Sequence, residues 1–127
     1  MKYISVILVL LISLVVLHAL AIHFYFYWTI WWYDIMMHVL GGLAAGFITL
    51  AICTGRIGEH VVPDGKLLLY VALGSIFIGI LWETYEYTTG VTFVTAGDYA
   101  FDTVADLLCD ISGGLIAYLA HTNVPKS

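Results

Sequence analysis

Four long apolar runs, at residues 3–28, 34–54, 67–89 and 99–121, alternate with three short breaks of different character. Each run is near the ~20 residues that an α-helix needs to cross the hydrocarbon core of a bilayer. A spanning backbone has to satisfy its own hydrogen bonds, so the runs predict helices. Trp31, Trp32 and Tyr33 form an aromatic turn of interfacial type; residues 55–66 are polar and carry Pro63, Asp64 and Gly65; residues 90–97 form a loop rich in Thr and Gly. The expected fold is all-α: a polytopic membrane protein, one four-transmembrane-helix bundle over residues 1–127.

Composition agrees with that pattern and removes other classes. The chain is 62% hydrophobic and only 10% charged, with a mean hydropathy of +1.00. A soluble domain carries roughly 25% charged residues, so this one could not wet its own surface. No basic patch suits nucleic acid. Cys53 and Cys109 fall in different apolar runs and fit no ligand spacing, so no disulfide is expected.

The positive charges predict an orientation. Lys and Arg occur only at Lys2, Arg56, Lys66 and Lys126, and four spans place all of them on one side. The positive-inside rule makes that side cytoplasmic, with both termini inside the inner membrane of a prokaryote. The rival reading is a cleaved signal peptide over residues 1–21, from Lys2, the run at 4–17 and Ala19-Leu20-Ala21. The uninterrupted apolar stretch on through Trp28 favours a retained span.

On this topology the ionisable residues converge. Asp34 and His38 share a face at i,i+4 spacing; Glu83 and Glu86 stand at i,i+3 near the outer end of the third span; Asp102, Asp106 and Asp110 repeat every four residues from the outer end of the fourth. Small residues continue the same faces: Gly41, Gly42 and Ala45; Ser75 and Gly79; Gly113, Gly114 and Ala117. Such residues permit close helix approach, which sets the acids inside the bundle rather than against lipid. An ionised Asp near the centre of a span costs roughly 2.5–3.5 kcal/mol on insertion scales, and no span carries an internal Lys or Arg to answer it. Protonation, a bound cation or an outward-facing watery cavity are the remedies.

Helix capping is the plainer explanation for Asp34, Asp98 and Asp102, which begin their helices. It does not serve Glu83 and Glu86, which approach a helix C-terminus, or Asp106 and Asp110, which lie further in. His18 and His23 are expected as interfacial or satisfied core residues, and His60 and His121 as residues of the cytoplasmic interface. Tyr25, Tyr27, Trp28, Trp31 and Trp32 suit an aromatic belt.

Carboxylates with one imidazole suit Mn, Fe, Mg or Zn, so Asp34, His38, Glu83, Glu86, Asp102, Asp106 and Asp110 are the candidate metal ligands. Without metal, closely set carboxyls could serve as acid and base, with Glu83, Glu86 and Asp106 the candidate catalytic groups. The Glu-x-x-His pairs of di-iron carboxylate bundles are absent.

Three motifs then carry a resemblance: Asp34-Ile-Met-Met-His38, Trp82-Glu83-x-x-Glu86, and Asp102-Thr103-x-x-Asp106-Leu107 followed by Gly113-Gly114. Over residues 34–118 the chain resembles the YjdF-like integral membrane proteins, a bacterial group of poorly defined function, and more distantly the VanZ-like proteins. It departs from the VanZ-like pattern at Ile35, Glu86 and Asp110 and lacks an Arg after the third span. The resemblance therefore implies a shared architecture and an envelope-side site rather than glycopeptide resistance. Three functions stay open. The first is a site that binds a metal or cationic group and acts on an envelope or lipid-linked molecule. The others are a proton- or cation-handling transport element, expected as a homo-oligomer, and a structural partner in the lipid bilayer without a site.

Overall fold

The apolar runs become helices in the computed structural model, which describes residues 2–57, 61–91 and 98–123. In chain order they are α1 (Lys2–Phe24), α2 (Phe26–Thr29), α3 (Tyr33–Cys53), α4 (Asp64–Thr89) and α5 (Tyr99–Thr122). Four of them, all but α2, are long and apolar enough to cross a membrane.

Two boundaries differ from the hydropathy pattern. The first span stops at Phe24 rather than Trp28, because Tyr25 takes a left-handed backbone (φ 61°). That conformation costs a bulky L-residue roughly 1–2 kcal/mol. It is held by Trp28 and Thr29, whose backbone N–H groups donate to the Tyr25 carbonyl at 3.0 and 3.1 Å, and by the Thr29 hydroxyl at 2.9 Å. The third span starts at Asp64, three residues early, behind Pro63 at the cap position. It ends where Gly90 (φ 71°) takes the left-handed turn that glycine adopts without a Cβ penalty. Most of the Thr- and Gly-rich loop, and His60, lie outside the described residues.

Helices α3, α4 and α5 pack on one another, while α1 packs on α3 and keeps its backbone away from α4 and α5. The close approach is made by the small residues. A Cβ on Gly42 would run into the backbone of Asp110, one on Gly113 into that of Val39, and one on Gly114 into the Ser75 side chain. The Ser75 hydroxyl donates to the Gly42 carbonyl at 3.3 Å across this waist. Below it, towards the end that holds Arg56, lies an apolar core of Leu50, Cys53, Val62, Leu67, Val71 and Ala117. Tyr3 joins α1 to that end through the His121 ring and through the Arg56 guanidinium, 4.5 Å above its own ring. Both cysteines are free. Large apolar side chains left on the outside, such as Val9, Phe77 and Leu108, face where lipid would be.

Candidate functional site: a buried carboxylate and histidine cluster

Above the glycine waist the core changes chemistry. Asp34 and His38 come from the first turns of α3, Glu83 and Glu86 from the last turns of α4, and Asp102, Asp106 and Asp110 from α5. All seven are buried, none more than 7% exposed. The sequence-predicted set is thus brought together whole. His38 stands at its centre. Its Nε2 lies 3.8 Å from Asp34 Oδ1, 3.7 Å from Glu83 Oε1 and 3.8 Å from Asp106 Oδ2, while its Nδ1 lies 3.2 Å from Asp110 Oδ2.

Those lengths separate two kinds of contact. The Nδ1 contact to Asp110 is a hydrogen bond. The three Nε2 contacts are too long to be one. Asp34 Oδ1, His38 Nε2 and Glu83 Oε1 are fully buried yet lack any hydrogen-bond partner, and Nε2 lies within 3.8 Å of each of the other two. Buried polar atoms are almost always satisfied, and leaving one unpaired costs about 1–3 kcal/mol. Two donors held by one small cation at about 2.1 Å sit roughly 3–4 Å apart, which is the spacing of His38 Nε2 from its carboxylate neighbours. The donor set fits a divalent ion.

The other groups are anchored. Glu83 Oε2 accepts from Thr103 at 2.7 Å and from Tyr99 at 3.4 Å, which turns Oε1 inward. Glu86 Oε1 accepts from the Trp82 indole at 3.0 Å. Three overlapping groups could each hold an ion, with ligand atoms within 4.8 Å of one another: Asp34, His38 and Glu86; His38, Glu83 and Asp106; and Asp34, Asp102 and Asp106. Sharing of Asp34, His38 and Asp106 between groups leaves room for more than one ion position.

Capping divides as the burial does. Asp98 is the true cap of α5, its carboxylate accepting from the Phe101 N–H at 2.9 Å. Asp34 is no cap: Trp32 holds that position, and the inward oxygen of Asp34 goes unpaired. His23 is exposed and packs edge-on to Phe24, as an interfacial residue would. Tyr27 departs from the aromatic belt. It is 3% exposed and its hydroxyl meets His18 Nδ1 at 2.8 Å, whereas Tyr25, Trp28, Trp31 and Trp32 stay outside. Burial pushes the pKa of the Tyr27 phenol far above its ordinary range, so it stays neutral. Sequence reasoning missed Thr103, Tyr99 and Trp82 as supports. The stripe Tyr99-Asp102-Thr103-Asp106, at helical spacing on one face, is the signal that could have found the first two.

A family model described as "Predicted membrane protein (DUF2238)" matches residues 2–127. The chain belongs to that family. This is the YjdF-like group of the motif resemblance; the match gives no support to a VanZ-like relationship. No curated protein and no solved structure matches the chain.

Proposed function

We propose that the cluster is a divalent-cation site on the extracytoplasmic side of the membrane, acting on an envelope or lipid-linked molecule. The observation that carries it is three unpaired buried atoms, Asp34 Oδ1, His38 Nε2 and Glu83 Oε1, with Nε2 within 3.8 Å of the other two. His38, Glu83 and Asp106 are the core ligands, and Asp34 joins His38 and Glu86, or Asp102 and Asp106, at the neighbouring positions. Asp110 fixes the His38 ring through Nδ1, the outer-shell arrangement usual for metal-binding histidines. A bound Mn, Fe, Mg or Zn ion supplies positive charge for a phosphate or carbonyl oxygen. The extracytoplasmic assignment rests on the sequence positions of the four cations, which four spans place on the other side.

A conduit is less well supported. A cavity of about 240 Å³ lined by Ile80, Glu83, Thr84, Tyr87, Tyr99 and Thr103 leads to Glu83 at the acidic end. Beyond the cluster the same three helices close on the glycine waist and the Leu50 core. Closure of α3, α4 and α5 towards the Arg56 end suits a binding site.

Elemental analysis of protein purified without chelator tests the reading. Wild-type protein should carry a divalent cation in stoichiometric amount, and Glu83→Gln and Asp106→Asn should each lose it while remaining folded by circular dichroism. Cation-free wild-type protein that takes up none on dialysis against Mn, Fe, Mg or Zn would overturn it.

A further inference from the structure

A second cavity, of about 360 Å³, lies between α1 and the rest of the bundle, and its walls are apolar apart from His18, His38 and Asp110. Helix α1 is joined to the other helices at its two ends. At one end Tyr3 meets His121 and Phe47. At the other, His18 Nε2 meets the Tyr85 hydroxyl at 3.2 Å and its ring packs edge-on to Trp82 with centroids 5.0 Å apart. Between these ties no backbone approach joins α1 to α4, and Leu11, Val15 and Ala19 of α1 face Ile48 and Ile78 across the gap. The result is a slot along the helix axes, roofed by His18 and Trp82.

The position of the slot decides what fills it. Its walls belong to spans, so the solvent at its side is lipid hydrocarbon rather than water. Water would find few partners on these walls, and an unfilled space would forfeit the dispersion contacts of its lining. From Leu11 to Ala19 a helix rises about 12 Å. Divided into the volume, that length gives a cross-section of about 30 Å², enough for one hydrocarbon chain at the ~4 Å carbon spacing of van der Waals contact and too little for two. Small residues make the room: Gly41, Ala44 and Ala45 of α3 and Ala19 of α1.

We propose that the slot takes one acyl chain of a membrane phospholipid, entering sideways between α1 and α4, with its ester end towards His18 and Trp82. His38 and Asp110 line both the slot and the acidic cluster. The wall they form brings the lipid's polar end beside the cation site and makes a phospholipid the substrate class of that site. The chain's seat needs only the apolar walls; what a cation then does to the lipid rests on the cation-site reading.

Photocrosslinking tests the seat. The full chain is reconstituted in phosphatidylglycerol vesicles doped with an analogue that carries a diazirine in mid-chain, and adducts are mapped by mass spectrometry. Adducts should concentrate on Leu14, Val15, Ala19, Ile48 and Ile78. They should fall about tenfold, ~1.4 kcal/mol of binding, in Ala19→Trp, which fills the slot from an exposed position. Val9→Trp, on the lipid-facing side of α1 and outside the slot, should leave them unchanged. Chelator-stripped wild-type protein should label the slot as before, so a failed cation site and a failed lipid seat give different results. Adducts spread evenly over lipid-facing positions such as Val9 and Leu108 would overturn the proposal. So would slot labelling that persists in Ala19→Trp, or labelling by a polyprenyl phosphate probe in place of the phospholipid.

Discussion

Helices α3, α4 and α5 enclose two cores that differ in almost everything except their backbone frame. At the end near Arg56 the buried residues are Leu50, Cys53, Val62, Leu67, Val71 and Ala117, an ordinary apolar packing. At the opposite end the same helices bury six carboxylates around one histidine, with three atoms left unpaired. Between them the glycine waist brings α3 and α5 into backbone contact. In a bilayer the helices gain little from hiding apolar surface, since lipid is as apolar as Leu, so close packing must do the holding. The waist and the apolar core therefore carry stability, and the acidic end is free to be poorly packed for chemistry. Each core can be broken without the other.

The largest effect should come from the waist itself. In Gly42→Leu the new side chain meets the Asp110 backbone, which cannot step aside as a flexible side chain could. Both cores lose their frame together. Destabilisation above ~4 kcal/mol is expected, in the range reserved for broken packing at special sites. Unfolding in detergent followed by circular dichroism should find no folded population, and the cation should be lost as well. A Gly42→Leu protein that folds and keeps its cation would show that the two cores do not share the waist.

Leu50→Ala should separate them. Leu50 is wholly buried in the apolar core, and its truncation leaves a cavity. A loss of about 2–3 kcal/mol is expected, the lower part of the usual range because lipid rather than water is the reference phase. Detergent unfolding reads the loss, and elemental analysis of the same sample should find the wild-type cation content. Cation loss on this substitution would mean that the cluster depends on packing three turns away.

How much of this was legible without coordinates follows the same division. The acidic core was readable because helical spacing puts Asp34 with His38, Glu83 with Glu86, and Asp102 with Asp106 and Asp110, while alternating helix direction brings all three sets to one end. The glycine stripes continuing the same faces told which way those faces pointed. Tyr25 was not readable: its left-handed backbone is fixed by carbonyl contacts from Trp28 and Thr29, and hydropathy carries no record of φ. Its consequence is Tyr27, turned inward onto His18 where an aromatic belt was expected. The slot beside α1 was equally hidden, since a run such as residues 4–17 is apolar on every side and has no face to assign.

The smallest and most discriminating effect should come from Asp110, which touches both the ring of His38 and the wall of the slot. Its carboxylate accepts from, or pairs with, Nδ1 at 3.2 Å, leaving Nε2 directed at Asp34, Glu83 and Asp106. Asp110→Asn keeps the size and an acceptor oxygen, so the ring can stay in place while the charge that strengthens its donor capacity is lost. Outer-shell changes of this kind cost about 10–100-fold in metal affinity. Isothermal titration with Mn or Zn should show that weakening with an unchanged stoichiometry, and detergent unfolding should move little. Asp34→Asn differs in kind, because it removes a donor atom and should lower the stoichiometry itself. If both substitutions reduce the stoichiometry alike, Asp110 is a direct ligand, and the cation lies deeper, nearer the waist, than the Nε2 side of His38.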